Sequence, residues 1–161
     1  MPKGYSFAQI RLHWIVAVLV LFQLVFGESI AGAWRQIRDG ATPASDPLVT
    51  GHVIAGILIL ALVIWRLAIR AKRGAPPPPE DEAPALRIAA HGTHWALYAL
   101  MILAPITGLM AWYGGVASAG EVHELLKPLM ILLILVHFIA ALWHQFWLKD
   151  NLLMRMKQPL D

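Results

Sequence analysis

The chain has 161 residues, no cysteine, 58% hydrophobic and 14% charged residues, and a net charge of +3. The absence of cysteine excludes disulfides, thiolate zinc sites and cysteine-ligated iron–sulfur clusters. A soluble domain carries about 25% charged residues, so the low charge favours a chain embedded in lipid. The charges lie at the ends of apolar runs, which indicates membrane topology and not nucleic-acid binding. The length fits one domain, 1–161.

Four apolar runs are long enough to cross a membrane as helices, which needs about 20 residues each. They cover about residues 10–27, 51–69, 94–113 and 125–148. None alternates with the period of two expected of a barrel strand. The first run resembles a signal peptide, with Ala31-Gly32-Ala33 after it, but it is long for that role and carries His13. The sequence therefore predicts an all-α fold, a four-helix transmembrane bundle.

Basic residues predict the orientation of the bundle. The connection between the second and third runs contains four consecutive prolines, Pro76 to Pro79, and then the acidic residues 80–82. Ten basic residues flank that connection and the two termini: Lys3, Arg11, Arg66, Arg70, Lys72, Arg73, Arg87, Lys149, Arg155 and Lys157. The other side has Arg35, Arg38 and Lys127. By the positive-inside rule we expect both termini in the cytoplasm and a location in the bacterial inner membrane.

The charged residues stay near the ends of the apolar runs, but histidines do not, and ionisable groups inside a membrane indicate function. Five lie within the runs and one just before the third: His13, His52, His94, His137, His144 and His91. His137 and His144 are seven residues apart, so they share a helix face and lie about 10.5 Å apart along the axis. That distance is too long for one metal ion. It suits two haems, one above the other.

The depth of each histidine predicts how two haems are ligated. Counting from the nearest basic residue at 1.5 Å per residue puts His13 about 3 Å and His144 about 7 Å from the cytoplasmic edge. The same count puts His137 at about 18 Å and His52 at about 21 Å. We therefore expect one bis-histidine haem b between His13 and His144, and a second between His52 and His137.

Other basic and imidazole side chains lie near the expected cytoplasmic haem. His94, about 10 Å deep by the same count, is an alternative to His13 as a ligand. His91 and His94 share a helix face. Together with Arg87 and Arg66 they are candidates to contact haem propionates or a quinone oxygen.

Two simpler interpretations apply to single histidines. One membrane histidine often makes only a hydrogen bond between helices, worth about 1 kcal/mol. His123, just before the fourth run, is interpreted as a solvated residue at a helix start. A haem-free transporter or metal channel using the histidines as ligands is a further alternative.

The chain resembles the bacterial cytochrome b561 family over nearly its whole length. The segments that carry the resemblance are Arg11-Leu12-His13-Trp14, Gly51-His52 with Gly56 and Arg66-Leu67, His91-Gly92-Thr93-His94 with Tyr98 and Pro105-Ile106-Thr107-Gly108, and Val136-His137 through His144 with Lys149-Asp150-Asn151 and Leu153-Met154-Arg155-Met156. The resemblance implies that His13, His52, His137 and His144 ligate two non-covalent haem b groups. It also implies electron exchange with the quinone pool, with ubiquinone as the expected quinone.

The resemblance leaves the electron donor open. One branch of the family is a membrane oxidoreductase that oxidises superoxide at the periplasmic face and reduces ubiquinone. The third connection here, residues 114–124, is much shorter than in that branch. The expected function is electron transfer between a periplasmic donor and quinone. The alternative is a membrane-anchor cytochrome b subunit that relays electrons for a partner dehydrogenase or hydrogenase.

Overall fold

A computed structural model describes residue 2, residues 4–79 and residues 82–159. These residues form four long α-helices and no strand. The helices are α1 (Phe7–Arg38), α2 (Pro47–Arg73), α3 (Pro84–Trp112) and α4 (Ala117–Trp143). All four are long and apolar enough to cross a membrane, so the predicted all-α transmembrane fold is confirmed. Lys3, used in the orientation argument, and residues 80 and 81 lie outside the described residues.

The helices are longer than the apolar runs that predicted them. α1 continues to Arg38, eleven residues past the first run, and α4 begins at Ala117, eight residues before the fourth run. Hydropathy marks only the part of a helix that lies in hydrocarbon, whereas the backbone remains helical into the polar interface. The sequence therefore predicted the spans, but most predicted ends lie inside the helix ends. The third and fourth runs instead end at residues 113 and 148, past the α-helix ends at Trp112 and Trp143.

Consecutive helices pack side by side. The most extensive pairs are α1 with α2 and α3 with α4, and α2 packs against α3 to join them. The two chain termini and the α2–α3 connection lie at one end of the bundle, which we call the terminal end. Gln9 Nε2 donates to the carbonyl of Gly74 there (3.0 Å), and Trp14 Nε1 donates to the carbonyl of Met156 (2.9 Å). The α1–α2 and α3–α4 connections lie at the other end, the far end.

The interior is apolar and the outer surface is apolar as well. The main buried cluster draws on three helices and consists of Val16, Val20, Ile59, Val63 and Tyr98. Large aliphatic and aromatic side chains also point outward, among them Val18, Leu21, Ile64, Phe138 and Ile139. An apolar outer surface suits a bundle surrounded by lipid. The polar groups of the backbone form their hydrogen bonds within each helix, so lipid need not satisfy them.

Local signals define the helix starts. Ser6 Oγ accepts from the backbone N–H of Gln9, and Gln9 Oε1 accepts from the backbone N–H of Ser6, which is a capping box. Asp46 caps α2 by accepting from the backbone N–H of Leu48 (2.8 Å), with Pro47 in the first turn. These caps satisfy backbone donors at helix ends near the interface.

Candidate functional site

Three imidazole rings from three helices meet in the half of the bundle nearer the terminal end. His13 lies on α1, His94 on α3 and His137 on α4. The ring centres of His13 and His137 are 6.2 Å apart, and those of His94 and His137 are 5.1 Å apart. We call these three residues the terminal-end cluster. All three were predicted from the sequence as ligands or alternative ligands.

Two further imidazole rings meet nearer the far end. His52 lies in the second turn of α2 and His123 in the second turn of α4. Their ring centres are 6.2 Å apart, the same separation as between His13 and His137. We call His52 and His123 the far-end pair.

The ring nitrogens of the far-end pair are arranged as metal ligands are. His123 Nδ1 donates to the carbonyl of Ala104 (2.7 Å), which leaves Nε2 with its lone pair. Metal-ligating histidines commonly donate their other ring N–H to a backbone carbonyl in this way. His52 Nδ1 is buried and has no hydrogen-bond partner within the described residues. Coordination would satisfy such a nitrogen.

A glycine makes room for the His123 ring. A Cβ at Gly108 on α3 would lie 3.1 Å from two atoms of that ring, closer than ordinary contacts. Gly108 therefore lets the His123 imidazole lie against α3 and reach the Ala104 carbonyl on the same helix.

Helix α4 contributes one histidine to each of the two sites and so sets the distance between them. His123 and His137 are fourteen residues apart, which is about four turns and about 21 Å along the axis. Both residues share one helix face at this spacing. The bundle therefore holds two separate histidine sites at different depths.

The separations fit an iron between two axial imidazoles. A metal–imidazole bond is about 2.0 Å, and the ring centre lies about 1.1 Å behind the nitrogen, so two trans rings are about 6.3 Å apart. Both pairs match this value, at 6.2 Å each. No group of three or more His, Cys, Asp or Glu in the described part of the chain could hold a metal ion. Two protein ligands per site suit a metal whose other ligands come from a macrocycle.

Cationic side chains surround the terminal-end cluster. Arg66 Nη1 lies 3.0 Å from His13 Nδ1, and its guanidinium lies 5.7 Å from the centre of the Tyr98 ring. Arg70 lies over Trp95, at 5.8 Å from the ring centre. Arginine pairs well with carboxylates, so this end offers counter-charges for the propionates of a haem.

Tyr5 lies just before α1, outside the spanning segment. Burial raises the pKa of its phenol above the ordinary value of 10.0, and the positive charge of Arg70 partly opposes this. The phenol is therefore neutral at physiological pH. It adds a hydroxyl, not a charge, to the terminal end.

The remaining predicted contact residues lie on the first turns of α3. His91 accepts a hydrogen bond from Trp95 Nε1 (2.8 Å) and is exposed. His94 Nδ1 donates to the carbonyl of Ala90 (2.7 Å). Arg87 Nη2 donates to the carbonyl of Pro79 (3.3 Å), in the Pro-rich connection.

His144 has a different environment from the other predicted ligands. It is buried, with Nδ1 2.5 Å from Asp150 Oδ2 and Nε2 3.4 Å from Glu82 Oε1. Both ring nitrogens therefore face carboxylate oxygens. His144 lies about 10.5 Å beyond His137 along the helix, on the side of the terminal end.

The structure brings together different histidines from those paired by depth. Depth counting paired His13 with His144 and His52 with His137. In the structure His13 lies beside His137, and His52 lies beside His123. Sequence reasoning missed His123 because the predicted fourth span began two residues after it. The signal that could have found it is the spacing of fourteen residues to His137, which keeps both on one helix face.

The chain matches a known protein family over nearly its whole length. Residues 4–159 match the prokaryotic cytochrome b561 family. The chain belongs to this family. The predicted resemblance is therefore confirmed, and this cytochrome b561 is a multi-pass bacterial membrane protein of the haem-binding, electron-transporting kind. Membership implies haem b as the cofactor.

Individual relatives cover the whole bundle. The chain is 40% identical to cytochrome b562 of Cereibacter sphaeroides, with 97% of this chain and 96% of that protein aligned. It is 32% identical to the probable superoxide oxidase CybB of Yersinia pestis, with 97% of each aligned. It is 27% identical to cytochrome b561 homolog 2 of Escherichia coli, with 96% of this chain and 92% of that protein aligned.

Proposed function

We propose that this cytochrome b561 binds two haem b groups, one between His13 and His137 and the other between His52 and His123. The support is the equal ring separation of 6.2 Å in the two pairs, which is close to that of axial ligands on one iron. Each pair joins a histidine of α4 to one of α1 or α2. The two haems would thus lie along the same face of α4, at two depths.

This ligand set replaces one ligand expected from the sequence, changes both expected pairings and keeps His13 over its alternative His94. His123 takes the place of His144, whose ring nitrogens face Asp150 and Glu82. His94 is less suitable than His13 as the partner of His137, because its ring centre at 5.1 Å is too close for an iron between them. His94 would then lie beside the haem and not across it.

Electron transfer through the bundle is the function that two such haems support. When bound, each haem supplies an iron that gains or loses one electron at a time. The four histidines would supply two ligands to each iron and leave no position for a further ligand, which favours electron transfer. The apolar helices would exclude water from the route, and Arg66 and Arg70 would balance propionate charge at the terminal end.

The direction proposed is from a periplasmic donor at the far end to ubiquinone at the terminal end. The excess of basic residues at the terminal end supports a cytoplasmic location for it. Lys127, whose ammonium lies 3.6 Å from a Glu28 carboxylate oxygen, is a cation one turn past His123. A cation there suits an anionic donor, and superoxide is the donor suggested by the name of the Yersinia pestis relative.

Haem content tests the first half of this proposal. Protein purified in detergent should contain two haems per chain in a pyridine haemochrome assay, with a Soret band and an α-band on reduction. A content of one haem would remove one pair, and the absence of a Soret band would favour the haem-free transporter.

Quinone reduction tests the second half. Purified protein supplied with superoxide and a short-chain ubiquinone should form quinol. If no quinol forms, and the protein instead co-purifies with a dehydrogenase or hydrogenase subunit that reduces its haems, the membrane-anchor alternative replaces this proposal.

A further inference from the structure

His144 is buried between two carboxylates that come from different parts of the chain. The side chains of His144, Glu82 and Asp150 are 9%, 5% and 20% exposed. Asp150 follows the end of α4, and Glu82 lies in the α2–α3 connection. Burying an imidazole with an acid at each ring nitrogen is costly unless the three groups interact. The proposed haem ligation uses none of them.

The backbone after α4 is shaped to hold Asp150 against His144. Residues His144–Leu148 form a wider, π-helical turn, and Lys149 and Asn151 then adopt left-handed conformations with φ of 54° and 57°. These two residues reverse the chain and direct the Asp150 side chain back to the helix end. Left-handed backbone is rare outside glycine and clusters at functional sites.

Asp150 also borders a cleft at the surface. The cleft has a volume of about 200 Å³ and is lined by Asp150, Asn151, Met154, Arg155 and Gln158. The volume is enough for several water molecules. One carboxylate oxygen of Asp150 accepts from the backbone N–H of Leu152 (3.0 Å), and the other faces His144. Asp150 therefore lies between a cleft that is open to solvent and the buried imidazole.

We propose that Asp150, His144 and Glu82 form a proton relay that supplies the protons consumed when quinone is reduced at the terminal end. An imidazole can accept a proton at one nitrogen and release one from the other. Here Asp150 passes a proton from cleft water to His144 Nδ1, and His144 Nε2 passes one to Glu82. This inference rests on the proposed quinone reduction.

The stoichiometry of quinone reduction determines how many protons the relay must supply. Converting one quinone to one quinol consumes two electrons, which arrive through the haems, and two protons. Each proton that Glu82 releases towards a quinone oxygen is replaced from His144, then from Asp150, and finally from water in the cleft. After each transfer the charges of the three side chains are restored, but the proton of His144 lies on Nδ1 in place of Nε2, so the imidazole must exchange its tautomers, by a ring flip, before the next transfer.

The experiment compares two electron acceptors on the same reduced protein. Haem reoxidation is followed by stopped-flow absorbance with a short-chain ubiquinone, which consumes protons, and with ferricyanide, which consumes none. The variants are Asp150→Asn and Glu82→Gln, with Asp150→Glu as the conservative variant. Gln9→Met is the structural control, because Gln9 Nε2 ties this end together by donating to the carbonyl of Gly74 (3.0 Å), and Gln9 neither lines the cleft nor joins the relay.

The relay predicts a slowing specific to quinone. Asp150→Asn and Glu82→Gln should slow oxidation by ubiquinone about tenfold or more, as loss of a positioned acid–base group does. Oxidation by ferricyanide, haem content and the Gln9→Met rates should stay near those of the wild type. Asp150→Glu should restore most of the rate. For the wild type, D₂O should slow oxidation by ubiquinone and should leave oxidation by ferricyanide unchanged.

Three results with the variants would overturn the relay. The first is an unchanged ubiquinone rate in both variants. The second is equal slowing with both acceptors, and the third is the same slowing in Gln9→Met. These two outcomes indicate a structural role. If the wild-type haems load but are not oxidised by ubiquinone at all, quinone reduction itself fails and the relay fails with it. The wild-type measurement therefore separates the two failures.

Discussion

The imidazole rings of His52 and His123 lie 6.2 Å apart, although they belong to α2 and α4, which do not adjoin in the chain. The ring of His123 is fixed by its hydrogen bond to the Ala104 carbonyl on α3. Three helices therefore converge on this far-end pair. The relationship identifies a site that the sequence left incomplete, and it changes which histidines we expect to bind haem.

The first prediction distinguishes His123 from His144. His123→Ala should lower the haem content per chain by half, because it removes one axial ligand of the far-end haem. His144→Ala should retain both haems, since its ring nitrogens face Asp150 and Glu82. Both substitutions remove the same atoms, one from α4 and the other from the π-helical turn that follows it. The measurement is haem content and the reduced α-band of detergent-purified protein.

The opposite result for the two variants would support the ligands that were predicted from the sequence. If His144→Ala loses a haem while His123→Ala keeps two, the pairing predicted from depth describes the loaded protein. His91→Ala serves as a neutral control, because that residue is exposed and bonded to Trp95.

Much of the fold was predictable from the sequence because lipid imposes a strong composition. Four apolar runs gave four helices, since a spanning segment must satisfy its backbone internally. The helix ends were less predictable. Residues 28–38, beyond the first apolar run, remain helical in α1, and residues 117–124, before the fourth run, begin α4. Hydropathy carries no signal for helix that continues outside the hydrocarbon.

The sequence predicted that histidines form the candidate site, but not which of them lie side by side. Intramembrane histidines indicated haem, yet counting depth from basic residues assumed that Arg11 and Lys149 mark the same level. Lys149 instead follows a π-helical turn and belongs to the chain reversal beyond α4. His144 is therefore near the bundle end, and His137 is the residue level with His13. Such turns depend on tertiary contacts that a residue count does not contain.

A second prediction separates His13 from His94. His13→Ala should remove the terminal-end haem, because its ring lies 6.2 Å from that of His137. His94→Ala should keep that haem and change only its potential or its reaction with quinone. Haem content and potentiometric titration of the two variants decide between them. Loss of a haem in His94→Ala, with His13→Ala unaffected, would assign the ligand to α3.

A third prediction concerns the space at Gly108. Gly108→Ala would place a Cβ 3.1 Å from the His123 ring, so the imidazole must move or α3 must shift. Overpacking of this kind costs about 1–3 kcal/mol. We expect weaker retention of the far-end haem and a changed line shape of its low-spin EPR signal, while the terminal-end haem keeps its spectrum.

Gly92→Ala is the matched control for Gly108→Ala. Gly92 lies on the same helix, and a Cβ there meets nothing within 4 Å. Its replacement should leave both haems unchanged and should slightly favour the helix, by about 1 kcal/mol. Equal loss of haem in the two variants would mean that alanine disturbs α3 in general, and that Gly108 has no special relation to His123.

The last prediction concerns the charge beside His13. Arg66 Nη1 lies 3.0 Å from His13 Nδ1, so a permanent positive charge adjoins the proposed terminal-end haem. A nearby cation favours the ferrous state, which carries one positive charge less than the ferric state. Arg66→Gln should therefore lower the midpoint potential of that haem, on the order of 59 mV for a tenfold change in a one-electron equilibrium. Arg66→Lys, which keeps the charge, should restore most of the difference, and the far-end haem should not change. A raised or constant potential in Arg66→Gln would show that this guanidinium does not act on the haem through its charge.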